Sequence, residues 1–381
     1  MTSPLADGLS AVPDRLEELA SQDLFSGVVH VVRGDLAQGG EVLLSTAHGR
    51  ASRRWEVPVR TSTRFDVASV TKLFTAVAVL QQVGLGRLGL DESIHSYVDL
   101  AGTTISPAVT LRHLLTHTSG IGDDADEEAG ESYEALWVDK PVYAVTETAD
   151  FLPQFVHKEP NFAPGEGCRY CNVGYVLLGL ALERVTGRTY RDVVRTDVFA
   201  RSGMDRSGFF DRRDSEPDVA EGWEPVRADP EDEADPEGSV IVSWRQNIFS
   251  YPPIGSPDGG AHCTAADLVR FLTAVRRGEL LPPELTAGFL TPQVLHHAVS
   301  EPEPGPGATT EVHHAWGLEV EVTAQGSVRS IYKDGINTGS SAILRYYPAQ
   351  DVTLAVVASS EDAAWGPISL LDEIVTTSPA S

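Results

Sequence analysis

Residues 65 to 80, "FDVASVTKLFTAVAVL", set a serine and a lysine, Ser69 and Lys72, at the mouth of an almost unbroken apolar run. A helix built from "LFTAVAVL" has no polar stripe to give to water, so it must be enclosed on every side. Enclosure of that kind needs a large core. At 381 residues the chain can bury one, as one large or two ordinary domains. The spacing predicts a buried helix opening at Ser69, with Lys72 one turn further on. Lysine is scarce here: Lys72, Lys140, Lys158 and Lys333 are the four in the chain, and arginine carries nearly all the other positive charge.

Around this helix the pattern is mixed. An amphipathic helix bearing Leu16, Leu19 and Ala20 leads into two strands, "FSGVVHVVRG" and "EVLLSTAHG". Helical stretches follow at "TLRHLLTH", "VGYVLLGLALERVTG" and "TAADLVRFLTAVRRG", the last with Thr264 as a candidate N-cap. The C-terminal part returns to strands in "HHAWGLEVEV", "RSIYKDG", "SSAILRYYP" and "DVTLAVVAS", and closes with a helix in "GPISLLDEIV". The acidic runs "GDDADEEAGE" and "DPEDEADPEG" are expected to be solvated loops. Strands at both ends with helices between predict an α/β (α+β) fold. One antiparallel sheet would be assembled from residues 1–95 and 265–381, and residues 96–264 would form a mainly helical insert within a single catalytic unit.

A serine hydroxyl is a poor nucleophile until a base takes its proton. Residues three apart share a helix face, so Lys72 can bring its amine beside the Ser69 hydroxyl. Desolvation or a second cation nearby would favour the neutral amine, which can act as that base. Ser69 at a helix start also offers its backbone N–H to a developing oxyanion. Two further groups strengthen the pattern. Tyr170 and Asn172 form a Y-x-N directly before a helix, where a tyrosine can shuttle protons and an asparagine can orient an acyl carbonyl. Lys333, Asp334 and Gly335 lie on a strand, and the glycine lets a substrate approach the backbone.

This ordered series, S-x-x-K, Y-x-N and K-x-G, resembles the serine β-lactamase and penicillin-binding-protein superfamily. Flanking phrases such as "VTLRHLLTHTSGI" and "FAPGEGCRYCNVGYVLLGLALERVTG" are similar to its class C β-lactamase, D-aminopeptidase and family VIII-type esterase branch. The likeness runs from about Phe25 to Trp365. It implies Ser69 as the acylated nucleophile and Lys72 as its base partner. Tyr170 would protonate the leaving group and activate the deacylating water, and Asn172 would hold the substrate carbonyl or amide. Lys333 would support Tyr170 and receive an anionic substrate group, and the N–H groups of Ser69 and Ile336 would form the oxyanion hole. The chain departs from the pattern in two places. Asp334 puts a carboxylate where the family's K-T-G has a hydroxyl, which disfavours a β-lactam carboxylate, and Cys171 stands where this branch usually has serine or alanine.

The activity expected is hydrolysis of a small ester or amide through an acyl-enzyme. The alternatives are acyl transfer or peptide cyclisation from the same intermediate, a β-lactamase or D-amino-acid peptidase, and a non-catalytic binding module. The formal charge of −26 argues against nucleic acid and anionic membranes as partners. No basic-then-apolar leader and no long apolar span are visible, and three cysteines cannot make a disulfide framework, so a cytoplasmic location is expected.

Other signals carry less. "GLGRLG" follows a helix, whereas a dinucleotide site needs a strand before it. Cys168 and Cys171 have no second ligand pair, and His296, His297, His313 and His314 have no carboxylate at ligand spacing, so no metal and no cofactor are expected. No G-x-S-x-G elbow occurs. His117 is read as structural because Lys72 and Tyr170 already fill the acid–base roles. Trp137, Trp244, Phe249 and Tyr251 are candidates for an apolar acyl pocket, with packing as the alternative.

Overall fold

The computed structural model describes residues 4–126, 129–228, 240–300 and 307–379. Two short helices, α1 (Pro4–Leu9) and α2 (Val12–Ser21), precede the strands β1 (Gly27–Arg33) and β2 (Glu41–His48). Three small strands, β3 (Arg50–Ser52), β4 (Val57–Pro58) and β5 (Phe65–Asp66), lead to a tight 3-10 turn at Ala68–Val70 and then to helix α3 (Thr71–Gly84). The middle of the chain supplies α4 (Leu111–Leu115), α5 (Val173–Thr186), α6 (Tyr190–Val193), the hairpin β6 (Trp223–Arg227) and β7 (Ile241–Gln246), and β8 (His262–Cys263). Helices α7 (Ala265–Arg276) and α8 (Pro283–Leu290) follow. Six strands come next: β9 (Val294–Ala298), β10 (Thr309–His314), β11 (Glu319–Thr323), β12 (Val328–Asn337), β13 (Ser340–Tyr347) and β14 (Val352–Ala358). Helix α9 (Trp365–Thr376) closes the chain.

The main sheet has the order β2-β1-β14-β13-β12-β11-β10-β9 and every pairing in it is antiparallel. The expected assembly from both chain ends is therefore present. Its meeting line is the β1–β14 ladder, running from Gly27↔Ala358 to Arg33↔Val352. Period-two alternation divides the sheet into two faces. Val29, Val31, Ile343, Leu354 and Val356 pack against α1, α2 and α9 through Leu5, Leu16, Leu371 and Val375. Val28, Val32, Ala342, Leu344, Ala355 and Val357 belong to the opposite and larger core, together with α3, α5 and α7.

Helix α3 is buried almost throughout, as its all-apolar sequence requires. It lies against α5, which is equally apolar and ends at Gly187 in the left-handed conformation that a helix C-terminus favours. One core thus runs from the sheet through α3 into α5, across the segment expected as an insert. Among the described residues no helix is long and apolar enough to cross a membrane.

Three local expectations need correction. "HHAWGLEVEV" is two strands, because the chain turns at Gly317 with φ +97° between His314 and Glu319. Ser69 lies in the 3-10 turn before α3, not inside the α-helix, although the i, i+3 geometry survives. The run "GDDADEEAGE" is not simply solvated. Asp123 and Asp124 are buried, and Asp123 accepts the Asn172 and Val173 N–H groups at 2.8 and 3.0 Å, satisfying orphan donors at the start of α5. Residues 127–128 of that run, and the run at 229–238, lie outside the described residues.

Candidate active site

The Ser69 turn is shaped from both sides. The pairing of Phe65 and Asp66 with Cys263 and His262 fixes the chain just before it. Asp66 then accepts the Ala68 N–H at 2.8 Å and an Arg212 N–H at 2.7 Å. Ala68 has φ +45°, a left-handed conformation unusual for a residue with a Cβ, and the Asp66 bond helps hold it there. Helix α3 begins two residues after Ser69.

Lys72 is fully buried, and its amine donates to Asn172 Oδ1 at 2.7 Å, to the Asp258 carbonyl at 2.6 Å and to Ser69 Oγ at 3.1 Å. Two of these partners are carbonyl oxygens, which only accept. The third is a hydroxyl, which can accept or donate. These three contacts place the amine within hydrogen-bond reach of the serine hydroxyl and of two fixed carbonyl oxygens.

Tyr170 sits on the loop entering α5, between the two lysines. Lys72 Nζ is 5.0 Å and Lys333 Nζ 5.1 Å from its ring centre. Asn172, buried two residues on, is positioned by Asp123. Lys333 is buried and donates to Glu319 Oε1 at 3.0 Å and to Asp334 Oδ1 at 3.1 Å. Burial alone would lower its pKa, but Glu319, Asp334 and Tyr170 outweigh that and hold it well above the ordinary lysine value. Glu319 also accepts from the Tyr332 hydroxyl at 2.9 Å; burial pushes it up, and Lys333 brings it below the ordinary value.

Gly335 closes the site from below. A Cβ there would lie 2.3 Å from the Val67 carbonyl oxygen and 2.8 Å from the Ser69 nitrogen, so only glycine allows β12 so near the serine turn. Ile336 follows on the same strand and is part-exposed. Strand β11 pairs with β12 only as far as Glu319↔Tyr332, so the backbone at Ile336 is not tied up on that side among the described residues.

The structure brings Ser69, Lys72, Tyr170, Asn172, Lys333, Asp334, Gly335 and Ile336 together. Of the aromatic candidates, Tyr251 joins Ser69, Asn172, Tyr133 and Asn337 around a recess of about 30 Å³. Trp137 is a core residue, Trp244 packs under Arg53 at 3.3 Å and Phe249 is exposed. His296 stacks on His314 at 4.4 Å, and His313 bonds Glu311 at 2.9 Å. The Asp258 carbonyl, Glu319 and the Asp66–Arg212 pair escaped sequence reading. Each acts through a fold contact more than a dozen residues away, and none lies in a motif.

With this geometry in view, likeness to other proteins is decisive. Residues 17–372 match the Beta-lactamase family. The chain belongs to that family. It is an enzyme of the β-lactamase type, a family of serine hydrolases. It is 33% identical over 298 residues to esterase EstB of Burkholderia gladioli, covering 74% of this chain and 72% of that one. It is also 33% identical over 186 residues to D-aminopeptidase of Brucella anthropi, covering 48% of this chain and 32% of that protein. Among solved structures, a penicillin-binding protein from Bacillus halodurans superposes with a TM-score of 0.81 at 32% identity, over 94% of this chain and 99% of that one. This β-lactamase-family chain thus spans most of the esterase's length but about a third of the aminopeptidase's.

Proposed function

We propose that this chain hydrolyses small esters or amides through an acyl-enzyme on Ser69. The observation that carries the reading is the contact pattern of Lys72, whose amine lies 3.1 Å from Ser69 Oγ while two carbonyl oxygens accept its other bonds; a neutral amine held in this way turns its lone pair to the serine hydroxyl. Lys72 takes the serine proton as Oγ attacks the substrate carbonyl. The oxyanion that forms is received by the N–H groups of Ser69 and Ile336. Tyr170, flanked by two lysines, passes a proton to the leaving group and then draws one from the water that releases the acyl group. Asn172 bears on the substrate carbonyl from the side of Lys72. No metal or organic cofactor enters these steps.

The substrate expected is a small ester or amide, received in the recess beside Ser69 that Tyr133, Tyr251 and Asn337 help to line. The substrate group beside Lys333 is expected to be uncharged. Glu319 and Asp334 already compensate that cation, and Asp334 repels an added carboxylate. β-Lactams, which carry a carboxylate, are accordingly expected to be poor substrates.

A fluorophosphonate probe should add once per chain, on the peptide holding Ser69, and Ser69→Ala should abolish the label. Labelling that persists in Ser69→Ala would sink the assignment. Specificity constants for short aryl esters and for a chromogenic cephalosporin decide the substrate class, and faster turnover of the cephalosporin would replace the esterase reading with a β-lactamase. Ester turnover in the presence of an alcohol or amine separates hydrolysis from acyl transfer.

A further inference from the structure

His117 has no place in the steps above, yet it contacts Arg169, Tyr170 and Cys171. It follows α4 with φ +58°, a left-handed backbone position, and is buried. Its carbonyl oxygen accepts the Arg169 N–H at 2.9 Å. Its Nδ1 accepts the Cys171 N–H at 3.1 Å. Between those two bonds its ring stacks on the Tyr170 ring, with centres 4.5 Å apart and planes 28° apart. Three consecutive residues, 169 to 171, are thus held by one side chain and its own carbonyl.

The bond to Cys171 fixes the chemistry of the imidazole. An Nδ1 that accepts an N–H carries no proton, so the ring is neutral with its hydrogen on Nε2. Its surroundings agree: burial first, then His314, Lys333 and Lys72, push its pKa well below the ordinary histidine value. A protonated ring would turn Nδ1 into a donor facing a donor and would add a cation close to Lys333. The neutral state keeps the loop bonded.

We propose that His117 is a positioning residue which clamps Tyr170 between Lys72 and Lys333, setting the phenol for proton transfer without touching substrate. The clamp rests on the acyl-enzyme reading of the site. Tyr170 lies on a loop with no strand or helix of its own, so the stack and the two flanking bonds supply the order that a regular element would otherwise give. His314 and Tyr175 also pack about the imidazole, with ring centres 4.8 and 5.4 Å from it.

Two substitutions separate the contacts. His117→Asn keeps an acceptor near the Nδ1 position and tolerates the left-handed backbone, but removes the stack. His117→Phe keeps a ring and removes the acceptor. Each should lower kcat by about ten- to a hundredfold, the scale of a misplaced catalytic group, while KM stays within about twofold. The same His117→Asn change made in Tyr170→Phe should cost almost nothing further, because the group it positions is already gone. Equal losses in both backgrounds, or a change confined to KM, would overturn the clamp. A second measurement does not depend on turnover. In protein containing 3-fluorotyrosine, the ¹⁹F line absent from Tyr170→Phe belongs to Tyr170, and His117→Asn should shift and broaden it. An unmoved line overturns the clamp, whereas a wild-type chain that neither turns over esters nor labels at Ser69 overturns the hydrolase reading instead.

Discussion

Gly335 and Ser69 are in backbone contact: a Cβ on Gly335 would stand 2.8 Å from the Ser69 nitrogen. The N–H proposed to receive the oxyanion is therefore held against a bare strand of the main sheet. Sheet and serine turn meet at this point.

Gly335→Ala should consequently displace the serine turn. We expect turnover to fall by about a hundredfold or more, with the circular dichroism spectrum of the folded chain retained. Wild-type kcat/KM in this variant would show that the contact does not constrain Ser69.

Lys72 and Tyr170 are proposed to act on one chain of protons. Lys72→Ala and Tyr170→Phe should each reduce kcat by about two orders of magnitude or more. The double variant should lie little below the worse single one, since residues acting as a unit are not additive. Steady-state kinetics on all four proteins supply the check, and full additivity would separate the two roles.

The Asp66–Arg212 pair carries structure as well as charge. Asp66 holds the Ala68 N–H, and both partners are largely buried, with 8% and 15% of their side chains exposed. Arg212→Met leaves the carboxylate buried and unpaired, a change that typically costs about 3–5 kcal/mol. Urea unfolding should show a loss of that order, and Asp66→Asn combined with Arg212→Met should recover part of it. No loss in the single variant would mean that water reaches Asp66.

Glu224 gives a pH signature. Burial raises its pKa to about 7 from 4.5, only partly countered by the Gly339 and Glu361 N–H groups that it accepts. Between those two values the folded chain keeps a proton that the unfolded chain has released, so this group's contribution to stability falls as pH rises. Glu224→Gln should become progressively more stable relative to wild type from pH 5 to pH 8. A difference in melting temperature that stays flat across that range would contradict the raised pKa.

Much of this site was legible before folding. Ser69 and Lys72 declare themselves because their interaction is local: three residues of helix bring the two side chains together wherever the helix lies. The short apolar runs in "VVHVV" and "DVTLAVV" likewise report strands covered on both faces without reference to their neighbours. Asp123 shows the opposite case. In sequence it is one carboxylate in an acidic run, and only the approach of α5 turns it into the cap that sets Asn172. Glu319 was concealed by the turn at Gly317, which separated two strands and aimed its carboxylate at Lys333.

The sequence by itself determined the Ser69–Lys72 pair proposed as nucleophile and base, the apolar helix that carries Lys72 and the strands that close the sheet, because each follows from an apolar run or from a spacing within one turn. Tertiary structure alone decided how that chemistry is held. It chose the carbonyl of Asp258 to occupy one Lys72 proton, the carboxylates that compensate Lys333, and His117 as the partner of the Tyr170 loop. Those contacts join segments far apart in the chain, and a hydrogen bond depends on distance and direction that residue order does not encode locally.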